Sequence, residues 1–200
     1  MRVLDDNLPS NCGIDNVEHF GISKNVLNVK ECNKILKIVK NLQSHEAGVV
    51  INQNEKIDTD IRESRITTLE FNESDYYWIF EKIVPHFTAL NNSYFNFDVF
   101  GFQEPFQFVE YKADHGHYDD HMDKLLKGYV RKLTVVLQLS DPKDYEGGDL
   151  QLLLGGEPFS VPKVQGSIVV FPSYVLHRVT PVTKGTRYTI VGWATGAPFK

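Results

Sequence analysis

Histidine and aspartate are concentrated in one short stretch of this chain. Three of its seven histidines lie within seven consecutive residues, and His121 and Asp123 are separated there by a single residue. Side chains two positions apart on a β-strand point to the same face, so this imidazole and this carboxylate would converge from a rigid support. Two ligands do not make a metal site, and a third must come from another part of the chain.

His177 is the candidate third ligand. It follows an apolar segment predicted as a strand, residues 168–171, and a turn at Pro172-Ser173. Two imidazoles and one carboxylate that leave other coordination positions open form the facial triad typical of non-haem Fe(II) centres. Because the set contains no thiolate, a structural zinc site matches it less well.

A second His-x-Asp pair, His117 and Asp119, competes with the first. It stands four residues earlier, and on a regular strand its side chains would point to the same face as those of His121 and Asp123. The residue types alone do not choose between the two pairs. The neighbouring His115, Asp114 and Asp120 are expected in a solvent-exposed loop at the mouth of the fold, with substrate contact as the alternative role.

Arg187 and Thr189 form a second candidate binding group. Alternation along a strand predicted over residues 187–193 places both on one face. A guanidinium beside a hydroxyl, in otherwise apolar surroundings, is a bidentate receptor for a carboxylate. By the same alternation Tyr111 faces inward from a strand over residues 106–111, where its phenol could reach a ligand at the metal.

Five other residues near these motifs are expected to have mainly structural roles. Trp193 and Phe171 are expected to lie in the core, and Arg131 is left open between a salt bridge and a contact at the pocket edge. Gly147-Gly148 is interpreted as a tight turn, because no helix start follows it to supply the aligned N–H groups of a phosphate site.

Two helices are predicted in the first half of the chain. Asn28 and Glu31 have the spacing of a capping box, and apolar residues recur at helical steps over residues 32–42. A second apolar helix is expected to be capped by residues 72–75. Pro85 is expected to kink or end that helix.

From about residue 94 onward the pattern changes to short β-type runs separated by glycine and proline, which indicates a sandwich or barrel of the jelly-roll kind. The predicted strands are residues 62–69, 95–100, 106–111, 133–139, 150–154, 167–171 and 187–193. The fold class is therefore predicted as mainly β with N-terminal helices: a double-stranded β-helix (jelly roll) flanked by supporting α-helices. We expect one domain over residues 1–200, with 1–93 as helical support and edge strands and 94–200 as the jelly-roll core.

Composition and charge limit the classes of partner that this protein is expected to bind. The 200 residues carry 21 Lys and Arg against 26 Asp and Glu, a net charge of −5, and this balance does not favour nucleic acid. No apolar stretch is long enough to predict a membrane span, so we expect a cytoplasmic protein without membrane contact. Cys12 and Cys32 are expected to be free thiols, with Cys32 on the inner face of the first helix.

Taken in order, these motifs resemble a known family. The chain contains, in this order, Tyr111, Gly116, Tyr118, His121 and Asp123. Four further segments follow: Arg131-Lys132-Leu133-Thr134, Tyr145-Glu146-Gly147-Gly148-Asp149-Leu150, Gly166-Ser167 and His177-x-Val179-x-Pro181-Val182-x-x-Gly185-x-Arg187. The set resembles the 2-oxoglutarate and Fe(II) dependent dioxygenases, specifically the prolyl 4-hydroxylase-like group with its PKHD-type hydroxylases. The resemblance runs from about residue 62 to the C-terminus and is densest over residues 107–193. Its tyrosine spacing selects His121 and Asp123 over the earlier pair.

The resemblance implies a role for each candidate residue. It implies that His121, Asp123 and His177 bind Fe(II), and that Arg187, assisted by Thr189, pairs with the distal carboxylate of 2-oxoglutarate. Tyr111 would hydrogen-bond this cosubstrate near the metal. The implied reaction uses O₂, with ascorbate as reductant, and hydroxylates a C–H bond while succinate and CO₂ are released.

The implied substrate is a prolyl residue in a peptide or protein, with a free amino acid or another small molecule as the alternative. Many prolyl hydroxylases have a second tyrosine on the strand after the metal loop, where this chain reads Val135-Val136-Leu137-Gln138. The lysine of animal collagen prolyl hydroxylases is replaced by Arg187, so collagen-type specificity is not expected to carry over. The alternative from another class is a non-enzymatic jelly-roll binding module, which would be expected to have lost a triad residue or Arg187.

Overall fold

A computed structural model describes residues 18–51, 54–124 and 128–198 of the chain. These residues form two α-helices, α1 (Val29–Val39) and α2 (Tyr77–Leu90), and a π-helical turn over Asn91–Phe95 follows α2 directly. The strands of the described ranges are β1 (Gly21–Ser23), β2 (His45–Glu46), β3 (Val49–Ile51), β4 (Asn54–Lys56), β5 (Arg62–Glu63), β6 (Arg65–Leu69), β7 (Val99–Phe102), β8 (Phe106–Lys112), β9 (His117–His121), β10 (Arg131–Gln138), β11 (Tyr145–Gly147), β12 (Leu150–Leu152), β13 (Phe159–Ser160), β14 (Ile168–Pro172), β15 (His177–Val179) and β16 (Val182–Gly196).

The strands form two main antiparallel sheets and a separate hairpin of β3 and β4. The large sheet has the order β1-β14-β10-β16-β8-β6-β2, and β7 and β11 also pair with β16. The small sheet has the order β13-β12-β15-β9-β5. Two antiparallel sheets that share an apolar interior are consistent with the predicted jelly roll.

The central strand β10 is buried on both faces. Leu133 and Leu137 pack in an apolar cluster with Ile79 of α2, whereas Val136 packs in a second cluster with Leu152 of the small sheet. Helices therefore cover one face of the large sheet, and the small sheet covers the other. This double burial explains why β10 reads as an almost continuous apolar run.

Helix α1 begins with the predicted capping box. The Oδ1 atom of Asn28 accepts from the backbone N–H of Glu31 at 3.0 Å, and Glu31 Oε2 accepts from the backbone N–H of Asn28 at 2.8 Å. Cys32 is a free, fully buried thiol on the inner face of this helix, as predicted. Cys12 lies outside the described residues.

Helix α2 differs from its prediction at both ends. Its N-cap is Tyr76, whose side chain makes no capping bond, so the expected cap at residues 72–75 was wrong. Pro85 lies inside the helix and does not end it. Proline removes one backbone donor there, but burial of Ile79 and Phe87 against the large sheet stabilises the helix on both sides of it.

The predicted strand over residues 62–69 is two strands in different sheets. β5 pairs with β9 in the small sheet, and β6 pairs with β8 in the large one. The break falls at Ser64, which is buried between them. The segment therefore crosses from one sheet to the other, and a period-two pattern cannot show such a crossing.

The strand predicted over residues 95–100 was also wrong in its first half. The π-helical turn occupies its start, Asn96 has a left-handed φ of 51°, and the strand begins only at Val99. The side-chain amide of Asn91 donates to the carbonyl of Phe97 at 2.9 Å and accepts from its N–H at 3.0 Å. One buried asparagine thus satisfies backbone groups that a strand partner would otherwise satisfy.

The other five predicted strands coincide with β8, β10, β12, β14 and β16, with shifted ends. The longest, β16, pairs with β10 on one side and with β8 on the other. Of the helices in the described part of the chain, none has the length and apolarity that crossing a membrane requires.

Candidate metal centre

Three potential ligands meet where the end of β9 faces the start of β15. His121 closes β9, Asp123 lies two residues beyond it, and His177 opens β15 directly opposite His121. The Nε2 atoms of His121 and His177 lie 3.8 and 3.5 Å from the two carboxylate oxygens of Asp123. Within the described ranges, these are the only three His, Cys, Asp or Glu side chains close enough to share a metal ion.

Backbone carbonyls fix the orientation of both imidazoles. His121 Nδ1 lies 2.7 Å from the carbonyl of Asp119, and His177 Nδ1 lies 2.9 Å from the carbonyl of Val175. A neutral imidazole that donates from Nδ1 keeps its lone pair on Nε2. Both Nε2 atoms face Asp123, so three lone-pair donors converge on one point.

A bulge in β9 decides which of its residues face the interior. Opposite β15, His121 pairs with His177 and Tyr118 pairs with Val179, so a step of three residues on β9 matches a step of two on β15. The extra residue places Tyr118 and His121 on the same face, although a regular strand would place them on opposite faces. A regular strand was the condition for equal parity of the two His-x-Asp pairs, and this condition is not met.

His117, the competing histidine, has a different environment. Its Nδ1 lies 2.6 Å from the carbonyl of His115, and its Nε2 lies 3.2 Å from the carbonyl of Asp60. Since each ring nitrogen faces a backbone carbonyl, His117 has no lone pair directed at a metal. The structure therefore brings together His121 and Asp123 with His177, and leaves the earlier pair outside the site.

Electrostatics favour the charge states that a divalent cation requires. Burial and the neighbouring His177 lower the pKa of His121 to about 3, so its imidazole is neutral. Burial works against ionisation of Asp123, but His177, His121 and hydrogen bonding outweigh it, and the pKa of this carboxyl lies below its usual value. A neutral imidazole and an ionised carboxylate can bind a metal without first losing protons.

An aromatic stack covers one side of His121. The ring of Tyr118 lies 3.4 Å from the imidazole, centroid to centroid, with an interplanar angle of 15°. The guanidinium of Arg62 lies 4.5 Å from the centroid of the Tyr118 ring. Burial raises the pKa of Tyr118 to about 12, so this phenol is neutral. No local pattern predicts the Arg62 contact, because it depends on the pairing of β5 with β9.

Asp123 is held by hydrogen bonds from two residues of β10. The hydroxyl of Thr134 donates to its Oδ2 at 2.8 Å, and a guanidinium nitrogen of Arg131 donates to its backbone carbonyl at 3.3 Å. Arg131 also binds Glu104, with Nε 2.7 Å from the carboxylate. Both roles that the sequence left open for Arg131 are therefore present.

Trp193 is buried but belongs to the site as well as to the core, so its assignment to the core alone was incomplete. Arg131 lies over its indole at 3.8 Å, and the indole is among the groups that lower the pKa of Asp123. Strand parity could have revealed this position, because Trp193 shares the inward face of β16 with Arg187 and Thr189.

The candidate cosubstrate residues lie on two adjacent strands. Arg187 is opposite Tyr111 in the register of β16 and β8, and its guanidinium carbon lies 5.4 Å from the Tyr111 ring centroid. Arg187 is only 3% exposed, yet it has no ion pair or hydrogen bond to any residue that the structure describes. Thr189 is fully buried, and its hydroxyl oxygen also has no partner.

A buried guanidinium without an acceptor is strongly unfavourable, so this arrangement calls for an anionic ligand. Gly148 leaves room beside it: a Cβ added there would lie 3.0 Å from Arg187 Cδ and 2.9 Å from Val182 Cγ2. Gly147 and Gly148 both have positive φ, in agreement with the predicted tight turn. A small, partly open pocket beside Arg187 is lined by Val136, Gln138, Leu150 and other residues. These residues suit the carboxylate of a small dicarboxylic acid.

A two-histidine, one-carboxylate site between two antiparallel sheets is the arrangement of a non-haem Fe(II) oxygenase. Residues 106–195, a little under half of the chain, match the 2OG-Fe(II) oxygenase superfamily. Curated relatives include PKHD-type hydroxylases from Idiomarina loihiensis, 41% identical over 78 residues, and from Gloeothece citriformis, 44% identical over 80 residues. Each match covers 38% of this chain and 36% of the relative, so it spans little more than a third of either protein.

Solved structures share the fold over most of the chain. A prolyl-4-hydroxylase from Pseudomonas putida superposes with a TM-score of 0.69 at 20% identity, over 90% of this chain and 94% of its own. A prolyl hydroxylase from Trichoplax adhaerens, solved with a peptide fragment of hypoxia inducible factor, superposes with a TM-score of 0.71 at 18% identity, over 88% of this chain and 83% of its own. At these identities the likeness establishes the fold.

Proposed function

We propose that this protein is an Fe(II)- and 2-oxoglutarate-dependent dioxygenase that hydroxylates a C–H bond of a prolyl residue in a peptide or protein. The observation that carries the proposal is the combination of three converging metal donors with a buried, unpartnered Arg187. When bound, Fe(II) and 2-oxoglutarate supply the oxidation, in which O₂ and 2-oxoglutarate become succinate, CO₂ and the hydroxyl group of the product.

The residues have separate tasks in this proposal. His121, Asp123 and His177 hold the iron and leave other positions for the cosubstrate and O₂. Arg187 and the hydroxyl of Thr189 bind the distal carboxylate of 2-oxoglutarate, and the phenol of Tyr111 donates to the same molecule nearer the metal. The buried, largely apolar surroundings of Arg187 strengthen this ion pair, because little water competes for either charge.

The proposed architecture is one catalytic domain. In the proposed division, the described residues from 94 onward form the jelly-roll core, and the described residues up to 93 supply the supporting helices α1 and α2 together with strands at the edges of the sheets. The support for this division is the apolar cluster in which Ile35 of α1 and Ile79 of α2 pack with Leu137 of the large sheet. In this arrangement the helices hold the outer face of the sheet whose inner face carries the site.

A prolyl peptide is the proposed substrate because curated relatives are PKHD-type hydroxylases and one structural neighbour is a prolyl hydroxylase with a bound peptide. The test is incubation of the protein with Fe(II), ascorbate, 2-oxoglutarate and a panel of prolyl peptides and free amino acids, followed by mass spectrometry. We expect a peptide proline to gain the mass of one oxygen atom.

Two variants make this test specific. Arg187→Met should abolish the product, whereas Lys184→Met, which removes an exposed charge from the same strand, should not. Product on free proline alone would replace the peptide with a small-molecule substrate. If no member of the panel gained oxygen, the proposed substrate class would be wrong.

A further inference from the structure

The inward face of β16 carries an unpartnered donor that the proposed reaction does not use. Among the described residues, the side-chain N and O atoms that are completely buried and lack a hydrogen-bond partner are Thr189 Oγ1 and Trp193 Nε1, and the guanidinium of Arg187, in a residue that is 3% exposed, is not among them. Thr189 has a proposed ligand in 2-oxoglutarate. Trp193 has none, although it is only 6% exposed and an unsatisfied buried N–H destabilises a fold.

The position of Trp193 indicates which acceptor its N–H could reach. In the register of β10 and β16, Trp193 stands directly opposite Thr134. The hydroxyl of Thr134 donates to Asp123 Oδ2 at 2.8 Å. Trp193 is close enough to contribute to the lowered pKa of Asp123, although its N–H does not meet normal hydrogen-bond geometry. The register opposite Thr134, whose hydroxyl binds Asp123, therefore points to the carboxylate of this proposed metal ligand as the acceptor.

Charged residues also lie next to the indole ring of Trp193. The guanidinium of Arg131 lies 3.8 Å from the ring centroid of Trp193 and is itself bound to the carboxylate of Glu104. Arg131 also donates to the backbone carbonyl of Asp123. Because the same arginine contacts both the ring and the ligand loop, the indole and Asp123 are held in a fixed relation.

We propose that Trp193 is a positioning residue of the metal centre: when a divalent cation is bound, its indole N–H donates to the carboxylate of Asp123. This role rests on the proposed metal site and adds to it. The bond would satisfy the orphan donor and restrict Asp123 to one orientation. Hydrogen bonds to metal ligands of this kind typically change metal affinity by about 10- to 100-fold.

The experiment uses Zn(II), which is diamagnetic and does not change redox state, as the probe ion. The chain has two tryptophans, and Trp78 serves as the matched control because its Nε1–H already donates to the carbonyl of Asp75 at 3.2 Å. In NMR spectra of the whole protein, Zn(II) should move the Trp193 indole N–H signal downfield and slow its exchange with solvent. The Trp78 signal should not change.

Affinity for Zn(II) gives the second readout. Trp193→Phe keeps an aromatic ring under Arg131 but removes the donor, and we expect it to weaken binding at least about tenfold. Trp78→Phe should bind as the wild type does. The wild-type NMR titration remains decisive if Trp193→Phe does not fold.

The possible outcomes distinguish the positioning role of Trp193 from the existence of the metal site. If the wild type binds Zn(II) while Trp193→Phe binds equally well and the indole signal does not move, the positioning role is wrong and the metal site stands. If the wild type binds no Zn(II), both are wrong. A moved signal together with a weakened variant supports the role.

Discussion

His117 and His121 belong to the same strand and differ in the partners of their ring nitrogens. His117 faces a carbonyl with each nitrogen, whereas His121 faces a carbonyl with Nδ1 only and directs Nε2 toward Asp123. The imidazoles are chemically identical, so their surroundings distinguish them: His121 also lies opposite His177, which supplies the third donor. The choice between the two histidines is therefore set by hydrogen bonding and strand pairing.

Replacing each histidine separately tests this assignment. His121→Ala should abolish Fe(II) binding, because it removes one of three ligands, whereas His117→Ala should retain it. Anaerobic titration with Fe(II), followed by metal analysis of the protein, measures both. The reverse result would show that the site uses the earlier His-x-Asp pair.

Arg187 has no anionic partner among the described residues and is 3% exposed, so its charge is costly to the protein without ligand. We expect 2-oxoglutarate to raise the melting temperature of the metal-loaded protein, since a ligand at a hundred times its Kd stabilises by about 2.7 kcal/mol. Arg187→Met should lose this response and be at least as stable as the wild type without cosubstrate. Thermal unfolding with and without 2-oxoglutarate measures it.

Lys184→Met is the control, because this residue lies on β16 but pairs with Glu146 at the surface. It should keep the full response to 2-oxoglutarate. An equal stabilisation of the Arg187→Met variant would place the cosubstrate elsewhere.

At the level of elements, β16 organises both parts of the site. Its inward residues include Arg187 and Thr189, which belong to the proposed cosubstrate site, and Trp193, which lies next to the proposed metal site. Pairing with β8 brings Tyr111 opposite Arg187, and pairing with β10 brings Thr134 opposite Trp193. One strand thus contributes side chains to both proposed sites.

The turn before β12 limits the space around Arg187, and two glycines allow a matched test. Gly148 and Gly155 both have positive φ, of 59° and 88°, so alanine strains the backbone at either position. A Cβ meets Val182 Cγ2 at 2.9 Å and Arg187 Cδ at 3.0 Å in the first case and nothing within 4 Å in the second. Both variants should lose about 1–2 kcal/mol of stability from backbone strain, and Gly148→Ala should lose more because of these contacts.

Only Gly148→Ala should also weaken 2-oxoglutarate binding, because only there must the arginine move. Calorimetric titration of the metal-loaded variants measures the difference. Equal affinity in the two variants would mean that Arg187 does not contact the cosubstrate.

At the scale of the whole molecule, the site lies between two sheets and the helices lie outside them. Alternation in the large sheet accounts for this: Leu133 and Leu137 face the helices, whereas Thr134 and Val136 face the interior. The alternation of side chains in the large sheet therefore supplies both the apolar contacts with the helices and the side chains that face the candidate site.

Much of this arrangement could be predicted from local patterns. Strand alternation predicted that Arg187 and Thr189 share a face, and the spacing of Asn28 and Glu31 predicted the start of α1, because both depend on neighbours along the chain. The bulge in β9, the crossing at Ser64 and the contacts of the indole could not be predicted, since they depend on which strands pair.

The most direct test of the account is succinate formation from 2-oxoglutarate by the Fe(II)-loaded protein in air, with ascorbate and the peptide panel present. We predict succinate that requires iron and O₂ and that is lost in His177→Ala. An iron-loaded wild-type protein that converts no 2-oxoglutarate to succinate would contradict the account.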